Sequence, residues 1–182
     1  MDNTKHIVGL SGGKDSTALA LALKLLEPRD YIYICNPTGD ELPEMEEHLK
    51  KIERLLQAPI LRVTSGMTFT ELIYKENMIP SFRARFCTRI LKIEPTQEFI
   101  NRFDNAVLYV GLRADEQSRE GVDYGVECRF PFKEQGWKLN DVWKFLDSHK
   151  ITIPARTDCA MCFYQRIGEW WDLWHHYPEY WA

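Results

Sequence analysis

Residues 11–16 read Ser-Gly-Gly-Lys-Asp-Ser, directly after the apolar run Ile7-Val8-Gly9-Leu10 and before the helix-forming run Thr17–Leu26. A buried strand, a donor-rich turn and then a helix is the local plan of an anion cradle. The N–H groups of the turn and the positive end of the helix converge on one point. Gly12 and Gly13 let the backbone approach an anion with no Cβ in the way. Lys14 adds a mobile charge, and Ser11 and Ser16 add hydroxyls. The spacing differs from G-x-x-x-x-G-K-[ST], so this is not the loop that wraps a β-phosphate in P-loop enzymes. Ser11, Gly12, Gly13, Lys14, Asp15 and Ser16 are the expected phosphate-binding residues, against the plainer reading of a Gly-rich turn between a strand and a helix.

Further strands are predicted at Tyr31–Cys35, Ile60–Thr64 and Ala106–Gly111, and residues 126–132 read as extended. Between them Met45, Leu49, Ile52 and Leu56 fall on one face of a helix that opens with Pro43. A short helix is predicted over 68–74. Residues 88–103 are helical in composition, with Pro95 at a break or a first turn. Leu139, Val142, Trp143 and Leu146 mark a helix over 140–148. Strands alternating with helices imply an α/β fold, a parallel sheet with helices on both faces. A length of 182 residues suits one domain over 1–182, with residues 150–182 packed on it. No apolar stretch has membrane length, the first residues carry no signal-peptide pattern, and five cysteines without an export signal fit a reducing compartment. A cytoplasmic protein is expected. The net charge of −4 argues against broad nonspecific nucleic-acid binding, which leaves nucleic acid only as an acceptor substrate.

Four other segments carry chemistry. Thr38-Gly39-Asp40-Glu41 leaves the second strand with two carboxylates that either hold Mg²⁺ against nucleotide phosphates or serve a solvated turn. Arg83, Arg85, Arg89 and Lys92 surround Cys87 in the densest positive cluster, read as a site for a substrate phosphate or sulfate, or as a solvated helix face. Arg113, Asp115, Glu116 and Arg119 follow the fourth strand. There Arg113 is expected on the nucleotide and Arg119 on a second anion, and internal salt bridges explain the same four residues. Cys159-Ala160-Met161-Cys162 lets two sulfurs reach one metal or cluster, or act as a redox pair. Cys35 reads as a buried free thiol. The stripe Ile167, Trp170, Trp171 and Trp174 is expected to dock on the core or on a second copy of the chain, giving a homodimer; base stacking is the sharper alternative.

The phosphate loop resembles that of the adenine-nucleotide α-hydrolase superfamily, whose members cut ATP between the α and β phosphates. The loop, Thr38–Glu44, Arg85–Thr88 with Leu91–Pro95, Gly111–Glu116, Pro131–Trp143 and Pro154–Cys162 together resemble the phosphoadenosine-phosphosulfate reductase family, including its small phage-borne members. The resemblance implies a three-layer, Rossmann-like α/β/α fold with strand order 3-2-1-4 and a further short edge element. It also places the Ser11 and Gly111 loops across one crevice. For this chain it implies ATP or a related adenine nucleotide on Ser11–Ser16, Thr38, Asp40, Gly111 and Arg113, with Mg²⁺ near Asp15 or Asp40. Lys14, Asp15, Cys87 and Arg113 are the catalytic residues it suggests. A 4Fe–4S cluster on Cys87, Cys159 and Cys162, with Cys128 as a fourth ligand, or zinc on the same sulfurs, completes the set. True reductases have a diverged loop and a C-terminal Glu-Cys-Gly segment; this chain keeps the loop intact and ends without that segment. The expected reaction is therefore adenylation of an acceptor with release of pyrophosphate, coupled to sulfur transfer. Reduction of a sulfonucleotide, or nucleotide binding without turnover beside a structural zinc, stands as the alternative.

Overall fold

The computed structural model describes residues 3–116 and 121–181. Five parallel strands, β1 (Lys5–Gly9), β2 (Tyr31–Cys35), β3 (Ile60–Arg62), β4 (Ala106–Tyr109) and β5 (Glu127–Arg129), form one sheet in the order β3-β2-β1-β4-β5. The helices are α1 (Lys14–Leu26), α2 (Pro43–Leu56), α3 (Phe69–Glu76), α4 (Phe86–Thr88), α5 (Glu94–Ile100), α6 (Pro131–Glu134), α7 (Leu139–Ser148) and α8 (Ile167–His176). The strand order expected from the resemblance is present, and β5 is its short edge element.

Alternation along the strands builds two cores, because successive side chains point to opposite faces. Val8, Tyr33, Cys35, Val107 and Tyr109 share one core with α1, α2 and α7, while Ile7, Ile34 and Leu108 share the other with Val63 and Ile100. Helix α1 is enclosed by the sheet, α2 and α7, and every residue from Ser16 to Leu23 is buried. That enclosure explains its all-round apolar sequence, in which alternating alanines leave room for close neighbours. Burial of each leucine stabilises the fold by about 1.5–3 kcal/mol.

Several boundaries differ from expectation: β3 ends at Arg62 and β4 at Tyr109, short of Thr64 and Gly111. Helix α1 begins at Lys14, so Lys14, Asp15 and Ser16 form its first turn. The extended stretch expected over 126–132 ends after β5, because Pro131 starts the short α6. Helix α4 runs through a widened segment, Arg89–Ile93, into α5, and the Glu94 N–H donates to Arg89 O. Pro95 stands in the first turn of α5, as expected; it has no N–H to give Leu91 and would crowd its carbonyl, and the wider turn before it accommodates both. The aromatic stripe of α8 is split between the core and the surface. Leu173 is buried beside Leu42 and Ala160, with Trp170 packed on them, but Ile167, Trp171 and Trp174 are exposed. No helix among the described residues is long and apolar enough to cross a membrane.

Candidate functional site

The carboxyl ends of β1, β2 and β4 open into a cleft of about 420 Å³, at the point where the strand order reverses. Ser11, Asp15 and Ser16 line it on the β1 side, Gly111 and Leu112 on the β4 side, and Thr88, Lys92 and Thr96 along the α4–α5 rod. The loop is held by its own serines: the Ser11 N–H donates to Ser16 Oγ at 3.1 Å, the two hydroxyls lie 3.0 Å apart, and Ser16 Oγ donates to Gly13 O at 3.1 Å. Gly12 has φ +79°. Gly111 is required by close approach, since a Cβ there would stand 3.1 Å from the Asp15 carbonyl carbon. Helix α1 has Gly13 as its N-cap and no side-chain cap, which leaves first-turn N–H donors for a ligand.

Asp15 is the electrostatic centre. Arg113 Nη1 contacts Asp15 Oδ1 at 2.9 Å and Oδ2 at 2.8 Å, and Lys14 Nζ reaches Oδ2 at 3.1 Å. Arg113 Nε also bonds Asp115 Oδ1 at 2.9 Å, and its backbone N–H donates to Glu116 Oε2 at 3.1 Å. Although burial opposes its charge, the bonds to Asp15 and Asp115 hold the Arg113 guanidinium above its ordinary pKa. The internal salt bridges weighed from sequence are therefore present, and they carry Arg113 to the phosphate loop. Arg119 lies outside the described residues.

The loop after β2 spends its carboxylates on structure. Glu41 Oε1 accepts from the Thr38 N–H at 2.6 Å and Thr38 Oγ1 at 2.7 Å, and Glu41 Oε2 from the Gly39 N–H at 3.0 Å. Asp40 Oδ2 accepts from the Thr70 N–H at 2.8 Å and from its hydroxyl. Asp40 serves α3, and Asp15 serves Arg113 and Lys14, so neither expected Mg²⁺ ligand stands as a free carboxylate. The turn reading holds for this loop.

The C-terminal segment closes over one side of the cleft. Cys159 pairs with Glu41 in an antiparallel bridge, the Ala160 N–H donates to Asp40 O at 2.6 Å, and Tyr180 Oη donates to Glu41 O at 3.0 Å. Thr157 Oγ1 would lie 3.5 Å from a Cβ on Gly13, and Thr157, Asp158 and Cys159 all line the cleft. Cys159 and Cys162 are hydrogen-bonded within one turn, which raises the Cys159 thiol and lowers that of Cys162. Cys87 packs with Met161 against Phe69, Leu72 and Leu91, close to this turn.

The expected metal centre is not assembled among the described residues. Among the described residues no group of three or more His, Cys, Asp or Glu side chains is placed to hold a metal ion. Cys128 lies on β5 opposite Leu108 and packs into the core beneath the sheet, where burial raises its thiol pKa. Cys128 is thus set apart from Cys159 and Cys162, and among the described residues no three of the four sulfurs are grouped as a 4Fe–4S cluster or a thiolate-rich zinc site needs. Cys35 is buried as expected, and burial pushes its thiol up to about 11.

The basic cluster is likewise divided. Arg89 pairs with Glu94, and Arg85 sits over the Tyr164 ring at 5.3 Å and contacts Thr88 Oγ1; Arg83 is exposed. Lys92 alone of the four lines the cleft, near enough to Cys159 and Cys162 to favour their thiolates. Of the four residues expected to share one anion site, only Lys92 borders the cleft.

Sequence reasoning missed two features. Thr96 Oγ1 donates to Asn36 Oδ1 at 3.2 Å on the cleft wall. His48, buried on α2, has Nε2 3.3 Å from Thr17 Oγ1. Its signal was present: it falls on the apolar face that Met45, Leu49 and Ile52 define, where a polar residue needs a partner.

Comparison with known proteins agrees with this architecture. An uncharacterised protein of Methanocaldococcus jannaschii is 30% identical over 96% of this chain, which spans 39% of that relative, and a second from the same organism is 27% identical over 93%, spanning 44%. The chain thus covers about two fifths of these archaeal proteins. An uncharacterised protein of Escherichia phage 186 is 24% identical over 98% of this chain and 72% of its own length. The crystal structure of phosphoadenylyl-sulfate reductase from Candida auris, a phosphate complex, shares the fold with a TM-score of 0.62 at 14% identity, covering 84% of this chain and 76% of that one. Residues 5–172 match the phosphoadenosine phosphosulfate reductase domain, and the chain belongs to that family.

Proposed function

We propose that this protein binds ATP across the cleft and transfers its adenylyl group to an acceptor, releasing pyrophosphate. The observation that carries the reading is the convergence of the uncapped α1 N-terminus, the Gly12–Gly13 turn, Lys14 and Arg113 around Asp15 at the strand-order reversal. An oxygen of the acceptor attacks the α-phosphorus, the bond to the bridging oxygen breaks, and the electron pair leaves with pyrophosphate. Backbone N–H groups of the loop, Lys14 and Arg113 stabilise the charge that develops there. Ile34, Leu108, Val110 and Leu112 offer apolar walls for the adenine, and Asn36 and Thr96 a polar edge.

Incubation with ATP tests the bond that is cut. AMP with pyrophosphate is the expected product pair, with water accepting slowly where the natural acceptor is absent; ADP with phosphate contradicts the reading. A second reading has one observation of its own. Cys159 lines the same cleft, and its bond to Cys162 favours the Cys162 thiolate. Thiol-dependent reduction of a sulfonucleotide would use that pair, with the two thiols becoming a disulfide as sulfite leaves. Sulfite release without ATP would put this reading first.

A further inference from the structure

Two tight turns meet outside the cleft and hold aromatic rings in solvent. In the first, Ser81 and Ala84 exchange both backbone hydrogen bonds at 3.1 Å, which puts Phe82 and Arg83 at the tip. In the second, the Gln165 N–H donates to Cys162 O at 3.1 Å, with Phe163 and Tyr164 between them. Phe82 packs nearly perpendicular to both rings, its centroid 5.6 Å from that of Phe163 and 4.7 Å from that of Tyr164. Such edge-to-face contacts hold the rings in place. Even so, Phe82 is 71% exposed and Tyr164 44%. Rings left that far in water contribute little to the fold for their size, so burial does not account for the cluster.

The charge around these rings has one sign. From Asn77 to Ile93 and from Cys159 to Gly168 the sequence holds Arg83, Arg85, Arg89, Lys92 and Arg166 and no Asp or Glu, in a chain of net charge −4. Glu94 takes up Arg89, but Arg83 and Arg166 are exposed and form no ion pair among the described residues. Arg85 lies over the Tyr164 ring at 5.3 Å, and its Nη2 reaches Thr88 Oγ1 at 3.4 Å. Thr88 and Lys92 line the cleft, so the face is continuous with the cleft mouth. A ligand that offsets these cations is an anion, and one that covers the rings has flat apolar faces. An acidic peptide meets only the first requirement, and a duplex hides its base faces in its own stack. A single strand of nucleic acid meets both, with phosphates for the arginines and unpaired bases for Phe82 and Tyr164.

We propose that the face formed by residues 82–89 and 163–166 binds single-stranded nucleic acid. The inference stands apart from the ATP reading, since no residue of the phosphate loop takes part. Fluorescence anisotropy with a labelled single strand of about twelve nucleotides, as DNA and as RNA of the same sequence, tests it. Binding of either form supports the inference, and the tighter one identifies the source. Affinity should fall as salt is raised, because the arginines displace counterions from the phosphates. Phe82→Ala and Tyr164→Ala should each weaken the strand by about tenfold, the scale of one lost base stack, while Phe82→Trp stays within about twofold of wild type. Arg83→Gln should cost about threefold and make the salt dependence shallower. ATP affinity in Phe82→Ala, measured by calorimetry, should match wild type. Absence of strand binding at about 50 mM salt overturns the inference, as does equal affinity for a duplex of the same sequence. Wild-type strand affinity in folded Phe82→Ala and Arg83→Gln also overturns it, and so does competition by polyglutamate as effective as that of unlabelled strand, which would make the partner an acidic peptide. Strand binding without any binding of ATP supports this inference and removes the nucleotide reading alone.

Discussion

The two sides of the cleft are built by different means. On the β1 side, six contiguous residues make the phosphate loop, and their mutual hydrogen bonds set its shape. On the far side, Lys92, Thr157 and Cys159 meet only because a C-terminal segment folds back and pairs with Glu41. A local site survives changes in distant elements, whereas an assembled one depends on every contact that seats it. This difference orders the consequences of mutation.

The largest effect is expected where the local site meets the sheet. Gly111→Val would force a side chain against the Asp15 backbone, 3.1 Å from its nearest atoms. That overpacking costs about 1–3 kcal/mol of stability and displaces Arg113 from Asp15. ATP affinity should fall by more than about a hundredfold, against a loss of stability that denaturant titration places in that range. Lys14→Ala comes next. Loss of one charge-assisted contact, about 1.5–3 kcal/mol, should weaken ATP by roughly ten- to a hundredfold with the melting temperature little changed.

The assembled side should respond differently. Because the bond from Cys159 lowers the Cys162 thiol and raises that of Cys159, iodoacetamide should modify Cys162 first, at a pH below the ordinary thiol range. Cys159→Ser should return Cys162 to ordinary reactivity while ATP affinity changes by no more than about twofold. A large loss of affinity in that variant would dissolve the distinction between the two sides. A smaller effect concerns pH. Burial first, then Lys51, depresses the His48 pKa below its unfolded value. The unfolded chain then binds the proton more readily, so stability is complete above about pH 6.5 and is lost as the pH falls below it. Denaturant titrations across that interval should show this decline, and His48→Leu should flatten it.

The same contrast explains what could be read from the sequence. The phosphate loop, four strands and the α2 stripe were legible because their signals lie within a few residues of one another. The cysteines were not. Spacing brought Cys159 to Cys162, but only tertiary packing decides that Cys128 faces the core from β5 and that Cys87 joins an apolar cluster. Asp40 and Glu41 looked like cation ligands because composition does not show that Thr38, Gly39 and Thr70 would turn donors toward them. Arg89 and Arg85 were drawn from the expected anion site by Glu94 and Tyr164, partners that charge counting does not weigh. His48 was hidden in a stripe whose other members are apolar.

The central claim is that the contiguous loop, with Arg113 held beside it, is the polyphosphate site and that the cysteine pair across the cleft is not. Its most direct test is calorimetric titration of ATP into three folded proteins: wild type, Lys14→Ala and the double variant Cys159→Ser/Cys162→Ser. Wild-type affinity is expected in the cysteine variant, with a loss of at least about tenfold in Lys14→Ala. Equal affinity in wild type and Lys14→Ala, or a loss confined to the cysteine variant, would contradict it.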